Sequence, residues 1–297
     1  MGIIDTHSHL QLASLNARRP AWLAAAAAAG VESMLLCPGE PAGFAEAAGV
    51  AHAWGLGYAL GIHPLAVSDV DEAAGLARLR EAVAAAMADP YFIGIGEVGI
   101  DGWEPGIDQA KAERIFVGCL KIAREFDLPL SVHVRRSASR ILKYFRQLPP
   151  PGGVMHAFNG SAVERDAFLR FGMKLGFGGA ATYAGSLRIR RWLAQAPRDA
   201  WVLETDSPDM PSSPRRDAWE AERLKAGEAA AGPLLTEPAD ILDALRAAAE
   251  LRGLTPEAAA AEARRNALAA FPRFEALLAR PDAFARCFAA ERMPSGA

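Results

Sequence analysis

Short runs rich in β-branched and aromatic residues alternate along the chain with longer Ala-, Leu- and Arg-rich runs of helical period. That alternation predicts repeated βα units around a parallel sheet. The strand candidates are Gly2 to His7, Val31 to Cys37, Gly55 to Ile62, Tyr91 to Glu97, Pro129 to Val134, Gly153 to Ala157, Gly172 to Phe177 and Ala200 to Thr205. Eight such strands close a (β/α)8 barrel, the α/β class in which the intervening helices form an outer ring. Helical runs at Trp22 to Ala29, Glu72 to Ala88, Gln109 to Phe126, Ala138 to Gln147, Ala162 to Phe171 and Leu187 to Ala194 have lengths that suit such a ring. After the last strand, the Pro/Ser/Arg-rich stretch Ser207 to Arg216 reads as a long loop. A polar insertion to Thr236 and helical segments Pro238 to Arg252 and Pro256 to Ala270 follow it. The expectation is a single-domain TIM barrel over residues 1–271, with a C-terminal helical extension over 272–297, helical around Phe274 to Leu278 and Phe284 to Ala290, packed on its outside.

Composition narrows the class without changing it. With 297 residues, 51% hydrophobic and 23% charged, the chain can bury a full core and is neither disordered nor collagenous. Lys and Arg total 32 against 35 Asp and Glu, a formal charge of -3, so the surface as a whole is not drawn to nucleic acid or membrane. An anionic substrate must be attracted locally. Three cysteines, Cys37, Cys119 and Cys287, form no disulfide framework or zinc knuckle, and a reducing compartment fits them. The apolar run from Pro20 to Val31 stops at Glu32, short of the roughly 20 residues a membrane span requires. No basic region precedes an apolar stretch at the N-terminus, so no secretory signal is read, and a cytoplasmic location is expected. Met1, Gly2 and Thr6 match a lipidation pattern, but the same residues form the first strand, and the match is read as coincidence.

Candidate chemistry lies where the strands end. In Asp5-Thr6-His7-Ser8-His9 the two-residue period of a strand points His7 and His9 to one face. Taken alone, the pair serves hydrogen bonding as readily as metal binding. Of the other histidines, His63 follows the third strand, His133 ends the fifth and His156 ends the sixth, while His52 lies in a helix near Trp54 and reads as ordinary surface. In a barrel all strand C-termini open on one rim, the rim that carries active sites. Glu97 closes the fourth strand and Asp206 the eighth. A carboxylate at the end of an apolar strand needs a cation, a hydrogen-bond network or a metal to offset its desolvation. A helix N-cap or a salt bridge remains open for either one. Glu204 shares a face with Asp206 and supports the site or pairs with an Arg. Four imidazoles and two carboxylates exceed what one tetrahedral zinc takes, but suit two divalent ions about 3.5 to 4 Å apart with a bridging carboxylate. Such a pair generates a hydroxide near neutral pH, and the reaction class is metal-assisted hydrolysis.

The ordered motifs Asp5-Thr6-His7-Ser8-His9-Leu10, Gly61-Ile62-His63-Pro64, Gly96-Glu97-Val98-Gly99-Ile100-Asp101, His133 after Pro129, Met155-His156-Ala157-Phe158-Asn159-Gly160-Ser161 and Glu204-Thr205-Asp206-Ser207-Pro208 resemble those of the TatD family of metal-dependent deoxyribonucleases, within the amidohydrolase-like barrels. The resemblance runs from Ile3 to about Phe271. It implies that His7, His9 and Asp206 hold one metal and His133 and His156 the other, with Glu97 bridging and His63 on the scissile phosphate. The chain departs from the family pattern at Thr236-Glu237-Pro238, where Asn often precedes Glu-Pro, at Ser8, where Cys is common, and at Gly102-Trp103, where an aromatic often follows the Asp directly. None of these removes a ligand.

Arg135, Arg136 and Arg140 follow the fifth strand, Arg188, Arg190 and Arg191 the seventh, and Arg215 and Arg216 the eighth. They form either a local funnel for phosphate or solvated ion pairs. Trp103 stacks a base or packs its own loop. The leading reading is a deoxyribonuclease that cleaves phosphodiester bonds with a two-metal-activated hydroxide. Its catalytic residues are Asp206 and Glu97, its ligands His7, His9, Glu97, His133, His156 and Asp206, and its substrate contacts His63, Arg135 and Arg136. The cofactors are two divalent ions (Zn, Mn or Mg), and the partner is DNA, single-stranded for preference, or another phosphoester. No membrane and no obligate protein partner are expected. The alternative is amidohydrolase-type cleavage of an amide, lactone or ester, including deacylation of mischarged tRNA, at the same bimetal site. No lysine stands where Glu97 does, which counts against the lysine-bridged subgroup. A metal-stabilised nucleic-acid binding protein without turnover is the third reading.

Overall fold

A computed structural model describes residues 2–226 and 232–289. Eight parallel strands follow one another around a TIM barrel: β1 (Ile3–Ser8), β2 (Val31–Leu36), β3 (Gly57–Leu60), β4 (Phe92–Asp101), β5 (Leu130–Arg135), β6 (Gly153–Met155), β7 (Met173–Phe177) and β8 (Trp201–Leu203). Every predicted strand is present, most of them shorter than the apolar run that signals it. β4 alone is longer, because it continues through Glu97 to Asp101 with all ten residues buried. Its extra length carries two carboxylates, not one, to the rim.

The barrel closes between β8 and β1 through polar contacts beyond the ends of the ladder. Ser8 and Ser207 form a parallel bridge, His9 N donates to Ser207 O at 2.7 Å, and Asp206 N donates to His7 O at 3.0 Å. Asp5, wholly buried in β1, accepts from the Thr205 hydroxyl at 2.6 Å, from Thr205 N at 2.9 Å and from His7 N at 3.2 Å. Burial nevertheless lifts its pKa to about 7, against those hydrogen bonds. The seam is thus built from the two segments that also carry His7, His9 and Asp206.

Two parts of the chain differ from expectation. The stretch Ser207 to Arg216 is not all loop, because a helix spans Ser213–Ala226. Pro214 lies in its first turn, where a missing N–H costs nothing, and Arg215 N donates to Ser212 Oγ at 3.1 Å. A proline that signals a break by composition here starts a helix. Beyond residue 271, helices Arg273–Ala279 and Phe284–Ala289 bury Phe274, Leu277 and Phe284, and Arg273 donates to the carbonyls of Phe92, Met87 and Asp89 at the entrance of β4. Residues 290–297 of the anticipated extension lie outside the described residues. Gly55 makes room for this segment, since its φ is +68° and a Cβ there would sit 2.2 Å from Asp282 O.

Candidate metal centre at the barrel rim

Three residues other than glycine adopt left-handed backbone just past strand ends: Arg136 (φ 52°) after β5, Ala157 (φ 44°) after β6 and Asp206 (φ 60°) after β8. Each such residue costs on the order of 1–3 kcal/mol and persists only where its surroundings hold it. All three lie on the rim where the histidines gather. β8 ends at Leu203, so Glu204 and Asp206 are not related by strand alternation. Both still reach His156, Glu204 from one side of the ring and Asp206 from the other.

The six predicted ligands converge. His7 Nε2 lies 3.4 Å from His9 Nε2, and the His7 ring stacks on His156 with centroids 3.8 Å apart. Asp206 Oδ1 is 3.2 Å from His9 Nε2 and 3.6 Å from His7 Nε2, and its Oδ2 is 3.5 Å from His156 Nε2. Glu97 divides its oxygens. Oε2 faces His7 Nε2 at 3.1 Å and His9 Nε2 at 3.5 Å, whereas Oε1 faces His133 Nδ1 at 2.9 Å and His63 Nε2 at 3.3 Å. Among the described residues, three clusters bring donor atoms within 4.8 Å of one another: His7, His9 and Glu97; His7, His156 and Asp206; and His63, Glu97 and His133. His156 therefore clusters with His7 and Asp206, and His133 with Glu97 and His63.

Hydrogen bonds on the far side of most rings decide which nitrogen faces the centre. His9 Nδ1 is 2.7 Å from Cys37 O, which can only accept, so Nδ1 carries a proton and Nε2 presents a lone pair in the neutral ring. His156 Nδ1 lies 3.1 Å from Glu204 Oε1, a charge contact outside hydrogen-bond geometry, while its Nε2 turns toward Asp206. His7 Nδ1 lies 2.8 Å from Ser131 Oγ. His133 is reversed: Nε2 is 3.0 Å from Asp101 Oδ2, and Nδ1 turns inward. Such outer partners fix ligand tautomer and basicity in metal sites. His63 is different in kind. Its Nδ1 accepts from Leu65 N at 3.2 Å, so in the neutral ring the proton sits on Nε2, which points at the centre as a donor and not as a ligand.

The donor set fits divalent cations. His9 and His156 each aim Nε2 at a carboxylate oxygen, an arrangement that a cation between them, proton or metal ion, makes favourable. Protons cannot serve at every position. Burial opposes the charged form of His9, but Asp206 and Glu97 raise its pKa to about 9. At His7, burial and the neighbouring His156 drive the pKa down. Burial likewise opposes ionisation of Glu97, yet His63 and His7 hold its carboxyl well below the usual range. Nitrogen and carboxylate donors together suit zinc or manganese, with magnesium favoured less by the imidazoles.

Sequence reasoning left Asp101 without a role and Glu204 undecided. Asp101, buried at the end of β4, faces His133 and accepts from Trp103 N at 2.7 Å and Glu104 N at 2.9 Å. Glu204 also accepts from Ala157 N at 2.7 Å, and Gly176 leaves it space, since a Cβ there would meet Glu204 Oε2 at 2.1 Å. The signal for Asp101 was the same as for Glu97, a carboxylate closing an apolar strand. Replacing Glu204 by Gln should weaken metal binding about 10- to 100-fold, the usual cost of losing an outer partner, as read by calorimetric titration. Unchanged affinity would remove Glu204 from the site.

The arginines divide. Arg140 is bound to Gln109 and Glu113, Arg190 to Ala181 O and Glu250, and Arg215 to Asp240 and Glu237, so these three are structural. Arg135 and Arg136 turn to Trp103, their guanidinium carbons 5.5 and 3.7 Å from its ring centroid, and Arg135 Nη1 also lies 3.9 Å from Asp101 Oδ2. His52 pairs with Asp89 at 2.7 Å, away from the site. No helix among the described residues is long and apolar enough to cross a membrane.

Comparison with known proteins identifies the family. The family model for TatD related DNases matches residues 4–272. The chain is 31% identical over 259 residues, 82% of its length and 96% of the relative's, to an uncharacterized metal-dependent hydrolase of Haemophilus influenzae. It is 31% identical over 210 residues, 70% of its length and 80% of the relative's, to the metal-dependent hydrolase YjjV of Escherichia coli. The crystal structure of YjjV, described as a TatD homolog, matches with a TM-score of 0.80 at 26% identity, covering 91% of this chain and 98% of that one. A 3'-5' ssDNA/RNA exonuclease TatD from Musicola paradisiaca is 32% identical over 151 residues, half of this chain and 55% of that protein. A TIM barrel whose strand ends gather imidazoles and carboxylates, matched along nearly its whole length, belongs to the TatD family and is a metal-dependent hydrolase.

Proposed function

We propose that this hydrolase is a phosphodiesterase acting on DNA, single-stranded for preference, with two divalent ions held by His7, His9, Glu97, His133, His156 and Asp206. The observation that carries the reading is the division of Glu97, whose Oε2 serves the His7 and His9 cluster while Oε1 serves His133. One carboxylate shared between two nitrogen clusters is what a bridging ligand requires. When bound, two such ions lower the pKa of water toward neutrality and stabilise charge on the phosphate.

The protein's own groups then have distinct tasks. Asp206 orients the attacking water. Its burial favours the protonated form, but His156 and His9 hold its carboxyl well below the usual range, which suits orientation better than storage of a proton. His63 donates its Nε2–H to a phosphate oxygen, as its tautomer dictates. Asp101 holds His133 in the rotamer and tautomer that bind a cation, and Glu204 places its carboxylate beside the His156 ring. The named exonuclease activity of the Musicola paradisiaca relative supports a polynucleotide substrate. Buried free thiols at Cys37 and Cys119 support a reducing, cytoplasmic setting.

A matched panel of single- and double-stranded oligonucleotides, phosphomonoesters, lactones, esters and amides, assayed with Mg²⁺, Mn²⁺ and Zn²⁺, tests the reading. Single-stranded oligonucleotides are expected to turn over fastest. Turnover of a lactone or amide without oligonucleotide cleavage would move the protein to the carbonyl-hydrolysing alternative, and DNA retention without product under every ion would make it a binding protein.

A further inference from the structure

Of the six exposed large apolar side chains among the described residues, Leu12, Leu65, Trp103, Val163 and Leu187 fall within about ten residues of the C-terminal end of a strand, while Leu224 lies at the far end of the helix Ser213–Ala226. The barrel therefore shows most of this kind of surface to solvent on its catalytic side. Trp103 is the largest of them and keeps 47% of its surface exposed even with Arg136 against its ring.

Its loop is built, not loose. Gly102 N donates to Arg135 O at 2.7 Å, and a Cβ on Gly102 would lie 2.5 Å from Arg136 O. Only glycine allows that approach. Arg136 itself sits at φ 52°, and this left-handed turn accompanies the placement of its guanidinium over the indole. Asp101 accepts from Trp103 N with one oxygen while its other oxygen lies 3.0 Å from His133 Nε2. One carboxylate thus ties the indole loop to a predicted ligand. The His133 ring is 4.7 Å from His63, so this loop adjoins the position assigned to the phosphate.

A half-exposed indole, fixed by its own backbone beside a metal ligand and flanked by two guanidinium groups, matches a nucleotide: a flat base for the ring, a phosphate for the arginines. We propose that Trp103, with Arg135 and Arg136, forms a stacking subsite for an unpaired nucleobase next to the scissile phosphate. The proposal rests on the phosphodiesterase reading above and gives it a base-recognition element. A duplex, whose bases are stacked on each other, cannot use this platform without unstacking.

The test crosses enzyme with substrate. KM and kcat are measured for the wild type, Trp103→Ala and Trp103→Phe on a thymidylate decamer and on a decamer of abasic phosphodiester units. Base stacking on an aromatic side chain predicts that the wild type has a KM about tenfold lower for thymidylate than for the abasic chain. Trp103→Ala should raise the thymidylate KM about tenfold while changing the abasic KM less than about twofold and kcat little, and Trp103→Phe should restore most of the difference. An unchanged thymidylate KM in Trp103→Ala, or an equal loss on both decamers, overturns the subsite while leaving phosphodiester cleavage standing. If the wild type cleaves neither decamer, the phosphodiesterase reading fails, and the subsite fails with it.

Discussion

Glu97→Ala is expected to lower kcat for oligonucleotide hydrolysis by about three orders of magnitude or more, since losing a shared ligand forfeits several kcal/mol of transition-state stabilisation. The size of the effect follows from position. Glu97 is 2% exposed, and its two oxygens face four imidazoles, so no neighbouring side chain substitutes for it when it is gone. The rings that remain repel protons from one another, and His7, already disfavoured as a cation by burial and by His156, becomes more so. Far-ultraviolet circular dichroism separates this from unfolding and should be unchanged, because β4 keeps its ladder to β5 from Val98 to Asp101. A variant retaining more than about a tenth of wild-type kcat would remove Glu97 from the chemistry.

Asp206→Asn carries the second large effect, with a loss of about 10³-fold in kcat expected at little cost in stability. The amide has the same shape, and Asp206 N still donates to His7 O, so the seam between β8 and β1 is kept. What disappears is one negative charge shared by His9, His7 and His156. Asn also suits the left-handed backbone at φ 60°, which makes it a cleaner replacement than Ala. Single-turnover kinetics under saturating metal distinguish a slow chemical step from weak metal binding. A wild-type single-turnover rate for Asp206→Asn would leave this carboxylate as a structural link alone.

The barrel was legible because the strands are short apolar runs, most of them closed by a polar residue at the rim. The ligands were legible for the same reason, since His7, His9, Glu97, His133, His156 and Asp206 all terminate or directly follow such runs. What escaped depends on neighbours far apart in sequence. The carbonyl of Cys37 and the hydroxyl of Ser131 orient His9 and His7, and no local pattern distinguishes them from ordinary core or loop residues. The helix at Ser213–Ala226 was missed because Pro214 reads as a breaker until its place in the first turn is known. Among the arginines, charge alone did not separate Arg140, Arg190 and Arg215, which are consumed by acidic or carbonyl partners, from Arg136, which faces Trp103, and Arg135, which is shared between Trp103 and Asp101. Pairing is a property of the folded surface.

Elemental analysis of the purified protein, wild type beside Glu97→Ala, addresses the shared centre most directly. Two equivalents of divalent metal per wild-type chain, falling to one or fewer in the variant, are the predicted result. A wild type that binds a single ion, or a variant that still holds two, would contradict a dinuclear site joined through Glu97.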